Sequence, residues 1–261
     1  MEPTTGLEPD LAGVHENFVE AYRLVARALP GGDVLELPGG CALATGEREA
    51  EFNRAFIMDP CEGIADILGE FRAFYLAKRL PWMLIASAAA VAGVESATGG
   101  TGLVPGRIMP GMVMEPITGE AAAVRGLAVE RVTSAALGEI FAAVLADGFG
   151  TTPALARTFV APGAIDAEGV SHYIGWLDDR PVATATRVTT GSIAGIYNVA
   201  TARDVRRRGI GAAMTAAALL GGREEGCASS TLQSSSQGYS LYKRMGFRHI
   251  ADYRSWYWLD R

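Results

Sequence analysis

Between Val199 and Ala212 the chain brings together residue types suited to holding a phosphate. Val199-Ala200-Thr201 is followed, after five residues, by Arg207-Arg208-Gly209-Ile210-Gly211-Ala212. A strand-like run ends, a basic loop turns on glycines, and a helical pattern begins at about Gly211. Glycines let the backbone approach a ligand closely, and a helix start offers unpaired N–H groups and a positive dipole end. Arg206, Arg207 and Arg208 add local cation to an acidic chain. The dinucleotide fingerprint Gly-x-Gly-x-x-Gly does not match, because only two glycines fall at usable spacing, and the Gly-Lys-Ser/Thr ending of a nucleotide P-loop is missing. On these residues alone, an exposed basic turn with a glycine kink is an equal alternative.

One strand and one helix later comes Tyr242-Lys243-Arg244-Met245-Gly246-Phe247. In this order and at this separation, the two motifs resemble the GNAT superfamily of acyl-CoA-dependent N-acetyltransferases, over roughly Val124 to Trp258. The resemblance implies a mixed α/β fold in which the fourth strand splays from the fifth and the acyl-CoA thioester lies in the gap. It implies that backbone groups of Val199, Ala200 and Thr201 pair with the pantetheine arm and polarise the acetyl carbonyl. The pyrophosphate would sit on the amides from Arg207 to Ala212, with Arg206 leading the motif. Ser235, seven positions before the tyrosine, stands where the family usually has an asparagine touching the pantetheine. Tyr242 would be the general acid that protonates the leaving thiolate. On its own residues, Tyr242 also reads as an aromatic helix residue packed against Phe247.

The chain also departs from the family. Many relatives carry a glutamate on the fourth or fifth strand as general base, and the matching positions here are Gly195 and Ser230. No carboxylate lies in Ser192–Val199 or Ser229–Ser235. The amine must arrive neutral, or water relays its proton, or the base comes from elsewhere. Tyr197, Asn198 and Gln233 are polar groups on those strands, for which a satisfied sheet residue is the plainer role. His172 heads an earlier strand within reach of the acceptor cleft, although a surface or core histidine is the commoner use.

The elements that must position these residues follow from periodicity and turn chemistry. In the second half we expect a strand at Val124–Val129, a helix capped by Ser134, and a short helix over Pro153–Phe159. Strands at Val170–Leu177, Arg180–Val188 and Ser192–Ala200 are joined by turns at Asp178-Asp179 and Thr190-Gly191. A phosphate helix, the strand Ser230–Gln233, the helix Gln237–Met245 and a final strand pair within Phe247–Leu259 complete it. Gly221-Gly222 costs the phosphate helix about 1 kcal/mol per glycine and argues for an early end.

The first half opens with a helix over Leu11–Leu29, stopped by Pro30-Gly31-Gly32. Strands at Val34–Leu37, Cys41–Thr45 and Phe52–Met58 follow. Asp59-Pro60 is expected to cap a helix carrying Ile64, Ile67, Leu68, Phe71, Phe74 and Tyr75. The strand Trp82–Ala86, an alanine-rich helix and an extended Ile108–Glu115 come next. This order parallels the second half from its third strand onward, with Asp59-Pro60-Cys61-Glu62-Gly63 where the phosphate turn should be. Its two acids repel pyrophosphate. We therefore expect two GNAT-like domains in tandem: residues 1–119 degenerate and without a CoA site, residues 120–261 catalytic, with the boundary near Gly119. Phe52, Phe56, Phe71, Phe74, Tyr75 and Trp82 are expected in the core.

Composition sets the partners. The chain has 261 residues, 49% hydrophobic and 20% charged, enough for two packed domains. Its 23 Lys and Arg against 29 Asp and Glu give a net charge of −6, which argues against nucleic acid. Cys41, Cys61 and Cys227 are scattered, as are the histidines, so we expect no metal and reduced cytoplasmic thiols. The longest apolar stretch, Pro81 to Val94, is too short to span a bilayer, and the N-terminus does not read as a signal peptide. The expected activity is transfer of an acetyl group from acetyl-CoA to a primary amine, of a small molecule rather than a protein tail, by direct attack. The alternatives are a CoA-binding module without turnover and a transferase using a longer acyl-CoA.

Overall fold

The structure, a computed structural model, describes residues 10–99, 102–118 and 123–258. The first helix, α1 (Leu11–Ala28), starts where Asp10 Oδ1 accepts the Gly13 N–H at 2.9 Å, and it buries Val14, Asn17, Phe18, Ala21 and Val25 along one face. It is followed by β1 (Asp33–Leu37), β2 (Gly40–Ala44), β3 (Arg54–Ile57), α2 (Ile64–Lys78), β4 (Trp82–Ser87), α3 (Val91–Thr98) and β5 (Val104–Met114). The second half comprises β6 (Leu127–Arg131), α4 (Ala135–Phe149), α5 (Pro153–Ala156), α6 (Pro162–Ile165), β7 (Val170–Leu177), β8 (Arg180–Thr190) and β9 (Ile193–Thr201). It ends with α7 (Ile210–Glu224), β10 (Ser229–Gln233), α8 (Tyr239–Arg244) and β11 (Arg248–Trp258).

The eleven strands among the described residues join one mixed sheet, in the order β1-β2-β3-β4-β11-β5-β10-β9-β8-β7-β6. The two halves repeat one pattern. β2 runs antiparallel to β3 and β3 parallel to β4, as β8 runs antiparallel to β9 and β9 parallel to β10. α2 and α7 fill the parallel crossovers, and each follows a glycine in the left-handed region: Gly63 at φ 70° and Gly209 at φ 82°. The halves then exchange their last strands. β5 pairs with β10, and β11 inserts between β4 and β5, antiparallel to both. The domain boundary expected near Gly119 falls on residues 119–122, outside the described residues, and the sheet runs continuously from one half into the other.

Several local expectations change. The helix expected at Asp59-Pro60 begins only at Ile64, because the left-handed Gly63, and not Asp59, turns the chain into it. The strand expected at Val124–Val129 lies at Leu127–Arg131, displaced by a turn in which Gly126 takes φ 79°. The expected final strand pair is a single strand, β11, with two bulges against β5; Leu259 lies outside the described residues. α7 does not end at Gly221-Gly222 but continues to Glu224. A Cβ on Gly221 would stand 2.5 Å from Arg187 Nη1 and 2.7 Å from the Tyr173 hydroxyl, and one on Gly222 2.8 Å from the Ala194 methyl. The glycines let the helix press onto the strands around buried Arg187, which pairs with Glu225 just beyond the helix. Among the aromatics expected in the core, Phe56, Phe71, Tyr75 and Trp82 are fully buried. Phe52 and Phe74 are only partly so, and Phe52 meets Phe159 across the halves at a tilt, ring centroids 5.6 Å apart.

α1 spans the two halves, packing on β1 and β2 of the first and on β8 and β9 of the second. Asn17, fully buried, locks that crossing. Its amide donates to the Val188 carbonyl at 3.0 Å and to Thr190 Oγ1 at 2.8 Å, while its Oδ1 accepts the Tyr197 hydroxyl at 2.7 Å. Asn17→Ala leaves these partners buried and unpaired, and should lower stability by about 2–3 kcal/mol. In urea titration this appears as a lower midpoint at unchanged slope.

Candidate active site

The β9–β10 pairing is short. Ser229, Ser230 and Thr231 face Ile193, Ala194 and Gly195, and the ladder goes no further. Beyond it β9 bulges: the register against β8 steps from Thr186↔Tyr197 to Thr184↔Ala200. The extra residue is Asn198, at φ 50°, a conformation that asparagine tolerates better than other non-glycine residues. Asn198 is pinned there, its carbonyl accepting from Thr184 Oγ1 at 2.8 Å and its amide donating to Thr186 Oγ1 at 3.2 Å. Val199, Ala200 and Thr201 therefore lie on a stretch of β9 that has β8 on one side and no strand on the other.

Below this gap the basic turn presents its amides. Gly209 enters α7 with no side-chain cap, and Ala213 donates to the Gly209 carbonyl at 3.0 Å. Ahead of Ala213, the N–H groups from Arg207 to Ala212 have no protein acceptor among the described residues. Arg207 takes φ 67° and, with Arg208, is exposed. Arg206 has a different task. Its guanidinium donates to the carbonyls of Thr201, at 3.1 Å, and Gly148, tying the turn to the end of β9 and to α4.

α8 forms the other wall. Ser235 is exposed and its hydroxyl caps the turn, accepting the Gly238 N–H at 3.1 Å. Tyr242 packs edge-on against Phe247, ring centroids 5.9 Å apart, and against the core under α7. Burial pushes its phenol up to about 12, with Thr215 offsetting part of the shift, so the group carries its proton at neutral pH. The packing role and the acid role are compatible in this position.

The missing glutamate has a structural counterpart. A Cβ at Gly195 would fall 1.8 Å from Asn17 Oδ1, so the space a side chain would take there is filled by α1. Ser230 is buried and donates to the Ala194 carbonyl at 2.6 Å. Tyr197 is committed to Asn17. Gln233, the last residue of β10, keeps both amide atoms buried without a protein partner.

On the α1 side of the bulge a pocket opens, with about 400 Å³ of empty space, part of it open to solvent. Tyr22, Leu24 and Val25 of α1, Phe159 and Ala164 of the α5–α6 region, and His172, Thr186, Val188, Tyr197 and Asn198 of the sheet line it. His172, 3% exposed, is a core histidine that also reaches this pocket. Its Nδ1 lies 2.9 Å from Thr186 Oγ1, its ring meets Phe141 edge-on, and Nε2, near the Ala164 backbone, has no well-formed hydrogen bond. Burial pulls its pKa down to about 4. The sequence did not disclose the contributions of α1, Phe159 and the α6 turn. Two signals pointed towards them: a glycine inside a strand, which marks close approach of another group, and an asparagine inside a strand.

Residues 168–249 match the family model described as acetyltransferase (GNAT) domain. No curated protein matches the chain. Among solved structures, the chain is similar to a GCN5-related N-acetyltransferase from Kribbella flavida, with TM-score 0.75, 18% identity, and 97% of this chain and 96% of that one covered. It is also similar to a GCN5-related N-acetyltransferase from Sphaerobacter thermophilus (TM-score 0.61, 15% identity, 84% and 76% covered). A tandem GNAT protein from the clavulanic acid biosynthesis pathway aligns with TM-score 0.60 and 13% identity over 96% of both chains. These likenesses show the fold. No helix among the described residues is long and apolar enough to cross a membrane.

The buried His172 makes stability depend on pH. Its folded pKa of about 4 lies below the ordinary histidine value of 6.5, so as pH falls from 6.5 towards 4 the unfolded chain takes up a proton that the folded one refuses. Stability is therefore lost across that window, at up to about 1.4 kcal/mol per pH unit. The urea midpoint of His172→Phe should fall less steeply over the same range, and the His172 ring signals of the wild type should stay unprotonated at pH 5.5 by NMR.

Proposed function

We propose that this chain, whose residues 168–249 match the acetyltransferase (GNAT) domain model and whose fold is that of GNAT proteins, transfers an acetyl group from acetyl-CoA to the primary amine of a small molecule. The observation that carries the reading is the β9–β10 gap lying directly above a turn of unpartnered amides. The residues fit the donor. The amides from Arg207 to Ala212, the left-handed Gly209 and the free cations of Arg207 and Arg208 suit a pyrophosphate. Arg206 acts one step back, by holding the turn. The open edge of β9 at Val199, Ala200 and Thr201 suits an amide-bearing arm, with Gln233 and Ser235 as polar groups on the facing side.

When bound, acetyl-CoA supplies an activated thioester. The chain supplies the rest. Backbone N–H groups beside the Asn198 bulge would stabilise negative charge developing on the carbonyl oxygen. Tyr242 holds a proton that a departing thiolate can take. No carboxylate occupies the usual base positions, since Asn17 fills the place of one and Ser230 is bonded to backbone, so the amine attacks as the free base. The first half, whose β3 and β4 stay paired through Ile57↔Ala86, keeps no gap of its own and serves as the non-catalytic partner. Three unpaired cysteines accord with the cytoplasm as the place of reaction.

Tyr242→Phe should lower kcat by about 10²–10⁴-fold while leaving the calorimetric affinity for acetyl-CoA within twofold. Gly209→Asp, which sets a carboxylate and a disfavoured side chain in the turn, should abolish acetyl-CoA binding. Full turnover by Tyr242→Phe across pH would remove the acid role. Binding without turnover of any amine by the wild type would instead favour the CoA-binding module, and preference for succinyl- or propionyl-CoA the longer donor.

A further inference from the structure

The pocket beside the bulge has a property that the activity alone does not require: its wall contains no Asp, Glu, Lys or Arg. Its titratable groups are Tyr22, His172 and Tyr197. Burial keeps His172 uncharged at neutral pH and raises the Tyr197 phenol well above its ordinary value, so both are neutral. Outside the wall, Arg54 sits 3.7 Å over the Tyr22 ring, and the charge of Arg131 acts on His172. The remaining surface is aliphatic and aromatic, from Leu24, Val25, Phe159 and Val188. Polar atoms gather at one end, where Asn198, Thr186 and His172 form a hydrogen-bonded chain next to the open edge of β9.

We infer that this pocket is the acceptor subsite and that it takes a compact primary amine with an apolar body, bound as the free base, while rejecting polycations. The inference rests on the acetyl-transfer reading above. An ammonium group entering an uncharged, largely apolar pocket loses hydration with nothing to replace it, so only the neutral form binds well. A polyamine or aminoglycoside would leave several charges against apolar wall, whereas an aryl or branched alkyl body gains contact with Leu24, Val25 and Phe159. The amine end then faces Asn198, beside the segment at which the acetyl group would be presented. The attacking nitrogen forms the new C–N bond, the C–S bond breaks, the thiolate takes a proton from Tyr242, the nitrogen's proton leaves to water through the mouth, and Tyr242 regains a proton from solvent.

The test compares acetyl-CoA turnover with benzylamine, 4-methylaniline, spermidine and kanamycin, alongside calorimetric titration of acetyl-CoA into the same preparations. We expect kcat/KM for benzylamine or 4-methylaniline at least 100-fold above either polycation. For benzylamine it should climb about tenfold per pH unit below the amine's own pKa, while 4-methylaniline, neutral at pH 7, stays flat. Leu24→Asp, at a half-exposed position, should cut the preference for benzylamine over spermidine at least tenfold with acetyl-CoA affinity unchanged. Ala21→Leu, which fills pocket volume without charge, should raise KM for benzylamine at least tenfold. Acetyl-CoA binding with spermidine or kanamycin as the better acceptor, or pocket variants without effect on KM, would overturn the inference and leave the transfer reading standing. Absence of acetyl-CoA binding would overturn both.

Discussion

Parallel strands at the middle of a sheet normally stay paired along their length, because a backbone group that leaves its ladder must find another partner. β9 and β10 part after Gly195 and Thr231, and much of the second half is organised around holding them apart. The Asn198 bulge turns β9 away, Thr184 and Thr186 anchor the bulge, and Arg206 fixes the far end by gripping the Thr201 carbonyl. The open edge is thus a built feature of the fold. Its exposed backbone is matched by the amides of the α7 turn, and the two together define a groove that an extended, phosphate-tipped molecule would complete.

The first half shows the same frame with the groove closed. β3 and β4 remain in register to Ile57↔Ala86, and the Ser87 hydroxyl then donates to the Met58 carbonyl, where separation would have to begin. Its turn retains the left-handed glycine, Gly63, but carries Asp59 and Glu62 in place of arginines. What this half contributes is α1. Through Asn17 the helix occupies the position of a side chain on Gly195, and through Tyr22, Leu24 and Val25 it walls the pocket beside the bulge. The wall of this pocket is in this way set by a segment far in sequence from the α7 turn.

Much of this was legible from residue order. The glycine-arginine turn, the tyrosine two elements later, the hairpin turns at Asp178-Asp179 and Thr190-Gly191, and the Ser134 cap are local signals, and each has its structural counterpart. The parallel between the halves was visible in element order as well. Long-range consequences were not. Periodicity marks Asn17 as one position on a helix face but cannot say that Gly195 lies beneath it. The run from Arg248 to Trp258 reads as strand from its alternation, yet nothing local tells that its partners are β4 and β5. At Gly221-Gly222 propensity pointed the wrong way, since close packing against Ala194, Tyr173 and Arg187 outweighs the intrinsic cost of glycine in a helix.

The placement of β11 between β4 and β5 also orders events in time. A chain synthesised from its N-terminus completes β4 and β5 long before β11 exists, and at ribosomal rates of about 5–20 residues per second the wait is on the order of ten seconds. Over that interval the first half cannot close its sheet, and two strand edges rich in Met, Ile and Trp stand open to any other extended segment. The last strand made is the one that seals them. The final eleven residues of the sheet therefore act as a closing stitch for the first half, and loss of the C-terminal strand would be felt first at the opposite end of the sequence.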